Sequence, residues 1–248
     1  MEQKASILWT MGRLDDAVRS VEANVKAGPG GETCLALYKQ RYTEEYGLEY
    51  GDATMKKIER FTKWMKDNGA KFNKIRMKYY GPDYRGVHSY KQINATETFL
   101  WVPRKLIITP QSGRETEIGK LVHKAGIKLS WEYLIYITIF LMEQFHDENS
   151  WWKPYMDVYP KSVDSFPMFY SEEEKNLLVG SPIMDQIASE IREIREEYDR
   201  IVSAVPQFKK FSFDEYIKNK TLVISRIFFV KIHGNNDRIM VPLAGTRF

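Results

Sequence analysis

Between Phe72 and Thr109 the chain reads FNKIRMKYYGPDYRGVHSYKQINATETFLWVPRKLIIT, a run of short β-type segments set between long helical stretches. This run fixes the fold class as α+β. Ile75, Met77 and Tyr79 alternate with Arg76 and Lys78, the period-2 pattern of a half-buried strand. Gly81-Pro82-Asp83 has turn chemistry, and Arg85-Gly86-Val87 resumes an extended segment. Phe99 to Val102 is expected to form a fully buried strand that stops at Pro103, because proline has no N–H to give to a ladder. Leu106 to Ile108 follows directly as a further β segment.

Helical periodicity dominates elsewhere. Ile7, Leu8, Met11, Leu14, Val18, Val21 and Val25 recur at three- and four-residue steps, predicting an amphipathic helix that ends before Gly28-Pro29-Gly30-Gly31. A second helix is expected from Glu32 to Tyr46. Asp52 suits the N-cap of a third, whose Met55, Ile58, Phe61, Trp64 and Met65 form one apolar face stopped by Gly69. Ser130 is expected to cap a helix through Gln144 that is apolar nearly all round, as suits a helix buried among others. Ser171 with Glu174, Ser181 with Pro182, and Ser212 with Glu215 have the chemistry of helix N-termini. The helix after Pro182 carries Ile183, Ile187, Ile191, Ile194, Tyr198, Ile201 and Val205 on one face, and its alternating Glu and Arg read as a solvated face. The last helix is expected from about Phe213 to Phe229.

Composition excludes several classes. The net charge of +4 is spread over dispersed Lys and Arg, with no basic run of the kind that tracks nucleic acid. Cys34 is the single cysteine, so no internal disulfide or cysteine-rich zinc site forms, and a reducing, cytoplasmic or nuclear setting is expected. His88, His123, His146 and His233 lack ligand spacing, so no metal site is expected. The N-terminus has no signal-peptide pattern, and Tyr133 to Met142 is about half the length needed to span a bilayer.

The β block, together with the aromatic-rich and helical stretches C-terminal to it, resembles the SET domain of the Rubisco large-subunit methyltransferase-like family of protein methyltransferases. Asp83-Tyr84-Arg85-Gly86-Val87 follows that family's Glu-Gly-x-Gly-hydrophobic turn, with Asp83 for Glu and Tyr84 for the first Gly. Ile93-Asn94-Ala95-Thr96-Glu97 follows its I-x-x-G-E hairpin. Val102-Pro103-Arg104-Lys105-Leu106-Ile107-Ile108-Thr109 follows its strand pair. Phe61, Trp64, Gly69 and Ala70 match the helix that precedes the first strands. The most specific match is Ser150-Trp151-Trp152-Lys153-Pro154-Tyr155-Met156-Asp157-Val158-Tyr159-Pro160, like the family's S-x-W-x-P-Y-hydrophobic-x-x-L-P. Phe166 to Glu174 and Leu177 to Ser181 continue the pattern. Aromatic core packing with turn prolines is the alternative account of these residues, and an ordinary β-meander that of the β block.

The resemblance implies SET-type β-strands interrupted by a helical insert, with N-terminal helices. Its boundaries are a helical region over 1–70, the first half of the SET domain over 71–112, the insert over 113–211, and an incomplete second half over 212–248. It implies S-adenosylmethionine as cofactor, held by the backbone of Asp83, Tyr84 and Arg85. Val223, Ser225, Arg226 and Phe228 follow the family's V-x-S-R-x-F, so that Arg226 reaches the cofactor's carboxylate and Ser225 lines the acceptor channel. Arg238 to Ala244 matches the strand that leads into the family's Asp-x-x-Asn-His. Gly245-Thr246-Arg247-Phe248 stands there instead, and no residue of this chain is assigned as catalytic.

Two function classes stay open. One is an S-adenosylmethionine-dependent protein methyltransferase acting on lysine, or on histidine, of a protein substrate. The other is a non-catalytic protein-binding module derived from it.

Overall fold

The fold is taken from a computed structural model that describes residues 4–6, 8, 14–23, 31–80, 85–232 and 235–243. Ile7, Met11 and Val25 of the first apolar face, the Gly28-Pro29-Gly30 turn, the Gly81-Pro82-Asp83 turn and residues 244–248 lie outside the described residues. The chain divides into two compact units, one from residues 1–64 and 71–100, the other from 65–70 and 101–247.

In the first unit, helix α1 (Leu14–Glu22) buries Ala17, Val18 and Val21 and packs on α2 (Gly31–Tyr46). Lys39 of α2 pairs with Glu22 of α1 at 2.9 Å. Helix α3 (Ala53–Asp67) starts as expected: Asp52 Oδ1 accepts from the Thr54 amide at 2.6 Å, which satisfies one of the unpaired N–H groups of a first turn. Strand β1 (Ile75–Tyr79) pairs antiparallel with β2 (Arg85–Ser89), burying Ile75, Met77 and Tyr79 as the alternation requires.

Cations in and just before β1 find local partners. Arg76 reaches Glu45 at 2.8 Å and lies 4.0 Å from the Tyr90 ring centroid, and Lys74 reaches Glu97 at 2.5 Å. The Ile93–Glu97 segment is a turn rather than a strand pair. Thr96, standing where the resembled motif has glycine, is held at φ 65°, a left-handed conformation that costs a side-chain-bearing residue about 1–2 kcal/mol.

His88 of β2 sits opposite Arg76 in the ladder, and its Nε2 is buried with no hydrogen-bond partner among the described residues. Burial, followed by the charges of Arg76 and Lys78, holds its imidazole below the ordinary 6.5, with Glu45 opposing them. The unfolded chain therefore binds this proton more readily than the folded one does. The contribution of His88 to stability is complete above about pH 6.5 and is lost as pH falls toward the lowered folded value. Urea unfolding at about pH 7.5 and about pH 5.5 is expected to show this loss, and His88→Gln is expected to reduce it.

The second unit holds a cluster of buried apolar side chains that includes Ile135, Ile139, Met142, Ile201, Phe208 and Tyr216. Its segment Arg104–Leu106 is a single 3₁₀ turn entered from Pro103, not a continuing strand. The stretch before it departs from expectation: Phe99 and Trp101 are 46% and 50% exposed, and Phe99 to Val102 is not a buried strand. Proline's fixed φ and missing N–H end any extended ladder at Pro103. Ile108 pairs through reciprocal bonds of 3.0 and 2.9 Å with Met240.

Thr109 then caps α4 (Pro110–Arg114), and Thr116 caps α5 (Glu117–Ala125). Helix α6 (Glu132–His146) buries every residue from Leu134 to Met142. Its start is not capped by Ser130. Trp131, at φ 55°, takes the cap position without a side-chain bond, so the helix begins and ends about two residues later than its sequence signals suggest. Helix α7 (Lys153–Val158) follows, then α8 (Glu172–Asn176), whose Ser171–Glu174 capping box forms as read.

Helix α9 (Ile183–Ala204) turns Ile187, Ile194 and Ile201 into the core and packs on α10 (Phe213–Ile224), where Ser212 Oγ accepts from the Glu215 amide at 3.1 Å. Helix α10 stops at Ile224, short of the expected Phe229, because Ile227 to Ile232 is taken as strand β3 and pairs antiparallel with β4 (Asn235–Met240). The β-branched and aromatic run Ile227-Phe228-Phe229-Val230 favours a ladder once a partner strand is present. Among the described residues no helix is long and apolar enough to cross a membrane.

Candidate functional site

The site predicted from sequence has two parts, and each lies in its own unit. In the first unit, Asp83 and Tyr84 lie outside the described residues. Arg85 opens β2 opposite Tyr79, and its guanidinium donates to the Tyr79 hydroxyl at 2.9 Å. The side chain is thus engaged with its own hairpin.

In the second unit, Ser225 and Arg226 form the exit of α10. The Ser225 amide returns to the Thr221 carbonyl at 3.2 Å and the Arg226 amide to the Val223 carbonyl at 2.9 Å, which closes the last turn. Ser225 Oγ donates to the Leu222 carbonyl at 2.8 Å, so the hydroxyl is held along the helix. Arg226 is half-buried, and its guanidinium carbon lies 5.5 Å from the centroid of the Tyr159 ring. One residue later β3 begins, and β3 pairs with β4, whose Met240 bridges Ile108. The β3–β4 hairpin that follows Arg226 is therefore tied back to Ile108.

The wall beside Arg226 comes from the Ser150–Pro160 motif. Ser150 Oγ donates to Gln144 Oε1 of α6 at 2.6 Å and accepts from the Trp152 amide at 3.0 Å, tying the motif's first turn to the buried helix. Trp152 packs edge-on against Phe140 at 5.5 Å, Tyr155 against Tyr159 at 5.7 Å, and Tyr159 against Phe145 at 5.6 Å. These aromatic contacts hold Tyr159 beneath the guanidinium.

The chemistry of this corner is that of an anion site. Arg226 offers a planar fork of donors, and the Tyr159 hydroxyl, 2% exposed at the residue level, has no hydrogen-bond partner among the described residues. Burial pushes the Tyr159 phenol well above its ordinary range, and the nearby Arg226 charge offsets only part of this. The hydroxyl is therefore a donor at neutral pH. A guanidinium suits a carboxylate such as the amino-acid end of S-adenosylmethionine, so Arg226 fits that group, whereas the Tyr159 hydroxyl is closed in by the surrounding side chains.

Two features escaped the sequence reading. Tyr159 stands where the resembled motif has leucine, and a hydroxyl at an aliphatic position was the available signal. Glu197 was absorbed into the solvated face of α9, yet it lies three residues after Ile194 and four before Ile201, on the buried side. It is 4% exposed and bonded to Lys220, itself 6% exposed, while Tyr216 Oη donates to it at 2.5 Å. This triad joins α9 to α10 upstream of Ser225 and Arg226.

No protein-family model matches the chain. A stretch of 163 residues is 27% identical to the actin-histidine N-methyltransferase of Rhinolophus ferrumequinum, covering 62% of this chain and 27% of that protein. The corresponding protein of Xenopus tropicalis is 28% identical over 162 residues, with 62% and 28% covered. The chain thus spans little more than a quarter of the length of these curated relatives. Among solved structures, the SET domain of LSMT bound to lysine and AdoHcy superposes with a TM-score of 0.67 at 22% identity, covering 78% of this chain and 43% of that one. Rubisco LSMT bound to AdoMet gives a TM-score of 0.63 at 23% identity, with 76% and 43% covered. The chain has a SET-type α+β fold, and the resemblance read from its motifs holds in three dimensions.

Proposed function

We propose that this chain forms much of an S-adenosylmethionine-dependent SET-type protein methyltransferase, acting on a lysine or histidine side chain of a protein. The observation that carries this reading is the placement of Arg226. It leaves α10 half-buried, directly before the β3–β4 hairpin that returns to Ile108, and matches the arginine of the resembled V-x-S-R-x-F motif. The relatives named above methylate a histidine or are bound to lysine, which supports a protein nitrogen as acceptor and leaves the choice between the two to experiment.

In this reading Arg226 binds the cofactor's carboxylate and Ser225 lines the approach of the acceptor. When bound, the cofactor supplies an electrophilic methyl group on a sulfonium, which a neutral amine or imidazole nitrogen takes in an in-line displacement. The protein's task is to align the nitrogen and exclude water, since positioning supplies most of the rate and the acceptor must be deprotonated.

A second reading, a protein-binding module without transfer activity, draws on the exposed Leu177 and Val179 between α8 and α9 and on the exposed Phe229 of β3. Calorimetric titration of the purified chain with S-adenosylmethionine separates the two. Binding is expected, and Arg226→Ala is expected to weaken it roughly 10- to 100-fold, the worth of a hydrogen-bonded charge pair of about 1.5–3 kcal/mol. Transfer of labelled methyl to lysine- and histidine-bearing protein then identifies the acceptor. Absence of any S-adenosylmethionine binding would overturn the methyltransferase reading and leave the module.

A further inference from the structure

Trp131 opens α6 in a left-handed conformation, φ 55°, that a bulky side chain adopts only under strain, and its side chain is 65% exposed. Burial of the ring does not offset that strain. Trp131 packs edge-on with Tyr133 at 5.9 Å, and Tyr133 faces the Arg238 guanidinium of β4 at 5.2 Å. Arg238 in turn lies 3.2 Å from the ring centroid of its cross-strand partner Phe229, itself 67% exposed. The start of α6 and the β3–β4 hairpin thus present one strip of three aromatic residues around one cation. Arg238 is half-buried and makes no ion pair or hydrogen bond among the described residues, and Glu132, the acid next to the strip, is taken by Arg114 at 3.0 Å.

A partly dehydrated guanidinium without a counter-ion suits a carboxylate, and the exposed tryptophan and phenylalanine beside it suit apolar side chains. Aromatic residues and arginine are also the types that protein interfaces concentrate at their centres. A lone cation does not make the basic track that nucleic acid requires. We propose that Trp131, Tyr133, Arg238 and Phe229 form a docking surface for a protein segment in which an acidic residue adjoins an aromatic or aliphatic one. Phe229 lies three residues beyond Arg226, roughly 10 Å along an extended strand, so a segment held here passes close to the candidate site. The proposal rests on the reading above only in taking a protein as the partner, and it assigns that partner's chemistry.

Two synthetic peptides with a terminal fluorophore test it, one with the core Glu-Phe-Glu-Leu and one with Gln-Phe-Gln-Leu. Fluorescence anisotropy with the full chain is expected to show the acidic peptide bound at least about fivefold tighter than the neutral one. Arg238→Gln is expected to remove that preference. Trp131→Gly is expected to weaken both peptides about tenfold while keeping or raising the melting temperature, because glycine accepts φ 55° without strain. Equal binding of the two peptides, no binding of either, or an acidic preference that survives Arg238→Gln overturns the proposal. So does a concentration-dependent dimer that Trp131→Gly dissolves, which would assign the surface to a second copy of the chain. Titration of the same chain with S-adenosylmethionine keeps the two readings apart. Cofactor binding without peptide binding removes the docking surface and leaves the methyltransferase reading, and the reverse removes only the latter.

Discussion

Lys220→Met is expected to lower the unfolding free energy by about 3–5 kcal/mol, because it strands the Glu197 carboxylate in a site that water does not reach. Glu197 accepts from both Lys220 and the Tyr216 hydroxyl, and removing the ammonium leaves the carboxylate with a neutral donor only. Burial, then the charge of Glu197, drives the Tyr216 phenol well above its ordinary range, so the tyrosine stays a neutral donor.

Replacing the whole triad tells its role apart from its cost. Glu197→Leu combined with Lys220→Met and Tyr216→Phe is expected to be about as stable as the original or more so, since apolar packing avoids desolvating two charges. Urea unfolding of the single and combined variants measures both terms, and the interaction energy is the difference between them. A single variant that loses less than about 1 kcal/mol would show that the pair is solvated rather than buried. The triad fixes α10 against α9 several residues before Arg226, so a loss of S-adenosylmethionine affinity in the triple variant would tie this register to the site.

Gly113→Ala is expected to cost about 3 kcal/mol, roughly 6–12 °C in melting temperature for a chain of this size. A Cβ at this position would lie 1.8 Å from the carbonyl oxygen of Tyr136, backbone against backbone, so α4 and α6 must separate to admit it. Gly126 provides the contrast. It caps α5 at φ 61° with nothing within 4 Å of an added Cβ, and Gly126→Ala should cost only about 1 kcal/mol of backbone strain. Thermal unfolding of the two variants side by side checks the difference, and equal losses would mean that the approach of α4 to α6 is looser than 1.8 Å implies.

What the amino-acid sequence determined by itself is local. The bonds of Asp52, Ser171 and Ser212 to amides two or three residues on, and the alternation of Ile75 to Tyr79, involve neighbours along the chain and form where the sequence places them. The order of the SET-like motifs was legible too, because it is a property of the string. The position of Arg226 at the exit of a helix came with it.

Only the tertiary structure decided the rest. Phe99 to Trp101 has the composition of a buried strand yet its Phe99 and Trp101 side chains are exposed, whereas Ile227 to Phe229 has the pattern of a helix end and pairs instead with β4. Glu197 is an ordinary surface residue by type, and it became internal because Lys220 and Tyr216 arrive from another helix. The closeness of Gly113 to Tyr136 and of Tyr159 to Arg226 depends on how separate segments pack. Hydrogen-bond ladders, buried charges and close backbone contacts draw their free energy from groups distant in the chain, and that free energy exists only once the fold has brought the groups together.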